Sequence, residues 1–388
     1  MKNLLICGNY GATNFGDEMI LAALLQHIRF IAPKTHITVL SADPSHTKVF
    51  HKVESVFFLP FGFRSFFRGL FRGELMKTFQ AYRKADAVLI GGGGLFTDER
   101  IYAIFLWGFH VLVAIICFKP FYIYAQSIGP LRYFLSRSIV SFLFKKAQRI
   151  SVRDYASKKL LIALGIHKPI LVLPDPALSL NFDKHEVENR FRLFSARYEL
   201  KNGSYCIVVM RDWMKKVSHF ESIVAESIDE IVTRKKLKVL LIPFQTYRDD
   251  DRFILNKIFE QIRNKKNVHL LDFSLHSRDF YDYISLFSHA KFIIGMRLHS
   301  LILSFRLGIP FIPLVYSPKV SRFLDMQYFD RLVLHVEKVN ALSLRKSITF
   351  LFEHYNEIRS DIIASEGRMK PEHRLHFSFL RSCIFPSS

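Results

Sequence analysis

At 388 residues, half of them hydrophobic, the chain is too long for one ordinary core and long enough for two α/β domains. It has no low-complexity tract, which excludes disorder away from the ends, and its four scattered cysteines form no CxxC pair, which excludes a zinc or disulfide framework and suits a reducing compartment. The net charge of +21 calls for an acidic partner or surface.

The apolar run at the N-terminus is too short for a signal peptide, so a cytoplasmic location is expected. Lys2 to Cys7 reads as a buried strand, followed by the turn GNYGATNFGDE and an apolar-periodic helix from Met19 to Ile31. A strand near Ile37 to Leu40 follows. Phe57 to Lys84 then interleaves Phe with Arg and Lys, the pattern of an interfacial helix on anionic lipid, and a peripheral place on the inner face of the membrane is the expectation. Nucleic acid is not expected as a partner, because no recognition module accompanies these basic aromatics. The strand Ala87 to Ile90 runs into Gly91 to Gly94. Ile101 to Phe118 approaches the length of a membrane span, yet it holds His110 and lies between two strands, so a buried crossover helix, apolar all round, is expected. Strands at Phe121, Arg149 and Ile170, with helices between them, complete a first parallel sheet.

The charged helix Asp183 to Tyr198 reads as a connection, and a second series follows. Its strands are Tyr205 to Met210, Val239 to Pro243, Val268 to Leu271, Phe292 to Ile294 and Phe311 to Val315. The fold class expected is α/β, two Rossmann-like domains facing a cleft (GT-B-like), with a C-terminal helical tail. The boundaries are residues 1–182, the first domain; 183–203, the connection; 204–340, the second domain; and 341–388, the tail.

Candidate chemistry collects at strand ends, the usual ligand position in open α/β sheets. In the first turn, Gly11 lets a ligand approach the backbone, while Asp17 or Glu18 accepts a hydrogen bond from a hydroxyl or simply complements the helix dipole. The glycine spacing is not the dinucleotide fingerprint. Gly92 and Gly93, followed by Asp98, lack the GK[ST] ending of a nucleotide-triphosphatase loop. Arg211 ends a strand, and Asp249 to Asp251 read as a solvated helix start in preference to a metal site. No metal is expected. The densest signal is GMRLHSLILSFRLGIPFIPLVYSPKV, Gly295 to Val320, where Arg297, His299 and Lys319 gather as an anion site.

These segments together resemble the polysaccharide pyruvyl transferase family, over residues 3–335. The likeness is carried by GNYGATNFGDEMIL, GGGGLFTDE, AQSIGPL, SVRDYASKKLLIALG with LPDPAL, VVMRDWMKK, IPFQ with the acids after it, and the Gly295 to Val320 segment. The resemblance implies a GT-B-like fold and transfer of pyruvate from phosphoenolpyruvate, the donor substrate, to two hydroxyls of a sugar, with no cofactor. It further implies that the acceptor is a cell-surface glycan or its lipid-linked precursor, with residues 1–182 as the acceptor side and 204–340 as the donor side. It also implies that Arg297 and His299, the Arg and His of GxRxH, serve donor binding and acid catalysis. The chain departs from the family at Ser127, where many relatives have Gly, and at Ser317, where many have Asp; the Phe and Arg insertion also has no counterpart. A nucleotide-sugar glycosyltransferase of the same fold is the alternative, and a glycan-binding scaffold that retains only the fold is a third reading.

Overall fold

In the computed structural model, the described residues are 2–59, 73–99, 101–212, 219–246, 249–272, 280–325 and 330–385. Residues 60–72 of the basic Phe-rich segment and the end of the VVMRDWMKK motif, from Trp213 on, therefore lie outside them. The chain divides into two compact units, one of residues 1–12, 17–180 and 370–388, the other of residues 13–16 and 181–369. The helix Lys184–Tyr198, expected as a connection, belongs to the second unit, and the end of the C-terminal helix belongs to the first.

The first unit is a seven-stranded parallel sheet in the order β3-β2-β1-β4-β5-β6-β7. Its strands are β1 (Asn3–Tyr10), β2 (His36–Ser41), β3 (Glu54–Phe57), β4 (Ala87–Phe96), β5 (Phe121–Ile128), β6 (Arg149–Val152) and β7 (Ile170–Val172). Strands β4 and β5 are buried along almost their whole length, which is why they read as continuous apolar runs without alternation. Helix α1 (Phe15–Ile31) covers one face of the sheet; α2 (Pro44–His51) follows β2 and is N-capped by Asp43. The other face is covered by α3 (Glu74–Lys84), α4 (Ile101–Ile116), α5 (Phe134–Lys146) and α6 (Tyr155–Ala163).

Helix α4 is the crossover expected from its sequence, and among the described residues no helix is long and apolar enough to cross a membrane. Its His110 is fully buried 2.8 Å from the Tyr82 hydroxyl, and burial pushes the imidazole down to about 3. The helix is not buried all round, however: Phe109, Leu112 and Ile116 face solvent.

The second unit repeats the plan with six parallel strands in the order β10-β9-β8-β11-β12-β13. They are β8 (Tyr205–Val209), β9 (Lys238–Leu241), β10 (Val268–Leu270), β11 (Ile293–Gly295), β12 (Phe311–Val315) and β13 (Leu334–His335). Its helices are α7 (Lys184–Tyr198), α8 (Phe220–Arg234), α9 (Asp251–Gln261), α10 (Phe280–Ser288), α11 (Leu298–Leu307), α12 (Pro318–Asp325), α13 (Ala341–Glu353) and the first part of α14 (Tyr355–Ile384), whose residues from 370 on belong to the first unit. Leu307 is followed by Gly308 at φ 69°, the left-handed cap that ends α11 without a side-chain penalty.

Candidate functional site

The second unit brings the cations of the Gly295 to Val320 segment together at strand ends. Arg297 follows β11 as the N-cap residue of α11, and His299 sits in the first turn of that helix. Nε of Arg297 donates to both carboxylate oxygens of Asp251, at 3.1 and 3.0 Å, and Nη2 donates to the same carboxylate and to the Asp249 carbonyl. Asp251 is fully buried and also accepts the backbone N–H groups of Phe244 and Gln245, each at 3.0 Å. This corrects the reading of Asp249 to Asp251 as a solvated helix start. Asp250 does cap α9, but Asp251 turns inward and holds the arginine. Burial pushes the Asp251 carboxyl up, against the opposing pull of Arg297 and the two backbone donors.

Arg211, just beyond β8, donates from Nη1 to the Tyr316 hydroxyl at 2.9 Å. Burial alone would raise the Tyr316 phenol, but Lys319, Arg211 and Arg297, with the Arg211 hydrogen bond, outweigh it and bring it down to about 8. A phenol moves that way only in a strongly positive field. Tyr316 was not singled out from the sequence, although it lies between the β12 strand and Ser317. Nε of Arg211 and the hydroxyl of Ser317 are buried and have no hydrogen-bond partner among the described residues. Buried polar groups of this kind are costly to leave unpaired. Lys319 is exposed in the first turn of α12.

The segment Thr13–Gly16 clusters with this unit. Phe15 donates its N–H to the Phe244 carbonyl at 2.9 Å and stacks on Tyr283 with ring centroids 3.8 Å apart, while Asn14 forms an isolated antiparallel bridge with Gln245. Anchored in this way, Gly16 lies directly against His299: a β-carbon there would stand 2.1 Å from Nδ1 and 2.4 Å from Cγ.

In the first unit the expected residues divide into two sets. Asp17, half-buried, accepts from the Asn9 side-chain amide at 2.8 Å, and its Oδ1 is 3.5 Å from where a β-carbon on Gly93 would be. Gly93 has φ 97°, so only glycine is relaxed there and the strand end beside Asp17 stays open. Glu18 instead is fully buried, accepting the Gly11 N–H at 2.8 Å, with its other oxygen 2.6 Å from His51 Nε2. It fastens the first turn to α2 and is not placed to meet a ligand. Gly11, φ 67°, is pressed on Ser41, and Gly92 on Ile20, so these glycines serve close packing. Asp98 is buried and accepts the backbone N–H groups of Arg132 and Tyr133 through Oδ2; its Oδ1 has no partner among the described residues.

The sequence profile of the family described as polysaccharide pyruvyl transferase matches residues 14–318. The chain belongs to that family. It is 20% identical to the amylovoran biosynthesis protein AmsJ of Erwinia amylovora, over 93% of this chain and 94% of that protein. Among solved structures it is similar to HepE of Anabaena in complex with UDP and glucose, with TM-score 0.64, 12% identity and 99% of each chain covered. It is also similar to UDP-GlcNAc 2-epimerase of Neisseria meningitidis bound to UDP-GlcNAc, with TM-score 0.63, 14% identity, and 97% of this chain and 100% of that one covered. At such identities these structures establish the fold, which is GT-B-like.

The family segments AQSIGPL, SVRDYASK and LPDPAL meet in one buried network. Arg153 pairs with Asp175 and donates from Nε to the Ser127 hydroxyl at 3.0 Å; that hydroxyl in turn donates to Asp154, which caps α6. Ser127, the departure noted in the sequence, is thus an internal link between strand ends β5 and β6.

Proposed function

We propose that the protein transfers a pyruvyl group from phosphoenolpyruvate to two hydroxyls of one sugar residue, in a cell-surface polysaccharide or its lipid-linked precursor. The observation that carries this reading is the grouping of Arg211, Arg297 and Lys319 around Tyr316, with His299 on the adjoining helix turn. Phosphoenolpyruvate presents a carboxylate and a phosphate on neighbouring atoms, and a guanidinium held in place by Asp251 beside further cations suits such a doubly anionic ligand.

His299 is the candidate acid that protonates the methylene carbon, leaving an oxocarbenium-like centre at C2. One sugar hydroxyl adds there and returns its proton to the imidazole; the C2–O bond to phosphate then breaks, phosphate leaving with the bonding pair, and the second hydroxyl adds to C2 and gives its proton to the released phosphate, closing the ketal. Charge develops on the departing phosphate, where Arg211 and Lys319 are suited to meet it. Asp17 at the open strand end of the first unit is the candidate acceptor-side residue. A second reading, transfer from a nucleotide sugar, is favoured by one observation, the UDP and glucose bound in the HepE structure.

One experiment separates the two. Purified protein is incubated with phosphoenolpyruvate and a panel of lipid-linked saccharides, and phosphate release is followed together with the mass of the glycan. Acceptor-dependent phosphate with a pyruvylated product is expected. His299→Ala should abolish turnover while phosphoenolpyruvate still binds, and Arg297→Ala should weaken that binding. Turnover of a nucleotide sugar with no use of phosphoenolpyruvate would overturn the proposal.

A further inference from the structure

The helical layer α4 and α5 of the first unit has an outward face that does not look like ordinary protein surface. The two helices pack side by side at Gly108, where a β-carbon would stand 3.3 Å from Leu143 and 3.4 Å from Ile139. Away from that seam and from the sheet, α4 exposes Phe109, Leu112 and Ile116, spaced as one helical face, and α5 exposes Phe134 and Phe142. Phe118, just beyond α4, is 94% exposed and Phe134 is 84% exposed. The solvent side of a helix on a soluble domain is normally polar, and contiguous apolar surface marks a place of interaction.

Charge identifies the partner. From residue 101 to residue 148, the stretch that holds both helices, the sequence has five Lys and Arg and no Asp or Glu. Arg137, Lys145 and Lys146 are exposed on α5, and Lys146 Nζ lies 5.2 Å from the centre of the Phe142 ring, so cation and aromatic share one patch. A second copy of the chain would set cations against cations. Nucleic acid would want stacking platforms throughout, whereas the α4 stripe includes the aliphatic Leu112 and Ile116.

We propose that this face docks on an anionic lipid surface, with the phenylalanines and aliphatics at the boundary of headgroups and acyl chains and the lysines among the phosphates. The docking is peripheral, with the helices lying along the bilayer. It does not depend on the pyruvyl chemistry, and its test uses no substrate, so the two stand or fall separately.

The full chain is sedimented with vesicles of phosphatidylcholine alone or mixed with phosphatidylglycerol, at low and high salt. Binding to the mixed vesicles that weakens with salt is expected. Phe118→Ser with Phe134→Ser and Phe142→Ser should lower partitioning roughly tenfold or more, and Lys145→Ala with Lys146→Ala roughly 25-fold. Because these positions are exposed, both variants should keep the wild-type circular dichroism and melting temperature. The proposal is overturned by equal binding of wild type to both vesicle types, or by folded variants that bind like wild type. It is equally overturned if, without lipid, the wild type is an oligomer that the phenylalanine variant turns into a monomer, since the face would then serve self-association.

Discussion

Gly16→Ala tests whether His299 is the working group. The added methyl would stand 2.1 Å from Nδ1, 2.4 Å from Cγ and 2.8 Å from Cβ of His299, where unstrained contacts are about 3.5 Å or more. The imidazole must therefore withdraw by about 1 Å or more, and because the overlap reaches Cβ, rotating the ring does not clear it. Gly16 lies in the first turn of α1, where alanine is the better helix former by about 1 kcal/mol, while overpacking costs about 1–3 kcal/mol. Net destabilisation should thus be at most about 2 kcal/mol, too little to unfold a domain-sized core. A misplacement of that size lowers rate by about 100-fold, and full loss of acid catalysis by up to about 10⁴-fold. Phosphate release at saturating acceptor should fall within those limits. Binding of phosphoenolpyruvate, measured by calorimetry, should stay close to wild type, since Arg211, Arg297 and Lys319 are not touched. A folded Gly16→Ala protein with wild-type turnover would refute the assignment of His299.

Two further predictions concern protons. Ultraviolet difference absorption should show one tyrosinate forming near pH 8, absent in Tyr316→Phe, and added phosphoenolpyruvate should move the transition upward by neutralising the surrounding cations. Because this phenol is depressed below its ordinary 10, its contribution to stability is fully present above pH 10 and is lost as pH falls through about 8. In the first unit, His27 lies 3.0 Å from the Ser179 hydroxyl and stacks on His376, which lies 2.8 Å from the Tyr124 hydroxyl. Burial, then His373, pushes His27 down to about 4, and burial likewise holds His376 well below its ordinary range. Both are held neutral, so their contribution is present above about pH 6.5 and lost as pH falls through about 4. Urea midpoints should decline across that window, and the decline should be shallower in His27→Gln.

How much of this was legible in the sequence depended on whether the partners were local. Short continuous apolar runs, set between helical stretches and glycine turns, announced both parallel sheets, because such patterns are properties of neighbouring residues. The cations at Arg297 and Lys319 were visible for the same reason, lying in one short motif. Asp251 was misread because its partner is 46 residues away and its neighbours Asp249 and Asp250 suggested solvent. Glu18 was placed at the ligand because nothing near it announces His51, 33 residues on. The outward face of α4 was taken as buried because an all-apolar helix carries no sign of which side the sheet covers. Tyr316 could have been found: an aromatic at a strand end, one residue before the motif serine, was signal enough to ask what the neighbouring arginine and lysine do to it.

The carboxylate behind Arg297 has a consequence for the donor binding proposed at that residue. A free arginine gives up roughly 2 kcal/mol of rotamer freedom when it is immobilised. Here Asp251, itself held by two backbone donors, has already aimed the guanidinium. That ordering is completed once, when the chain folds, and is not repeated at each encounter with an anion. In the proposed donor-binding role of Arg297, the buried aspartate would act on affinity without touching what is bound.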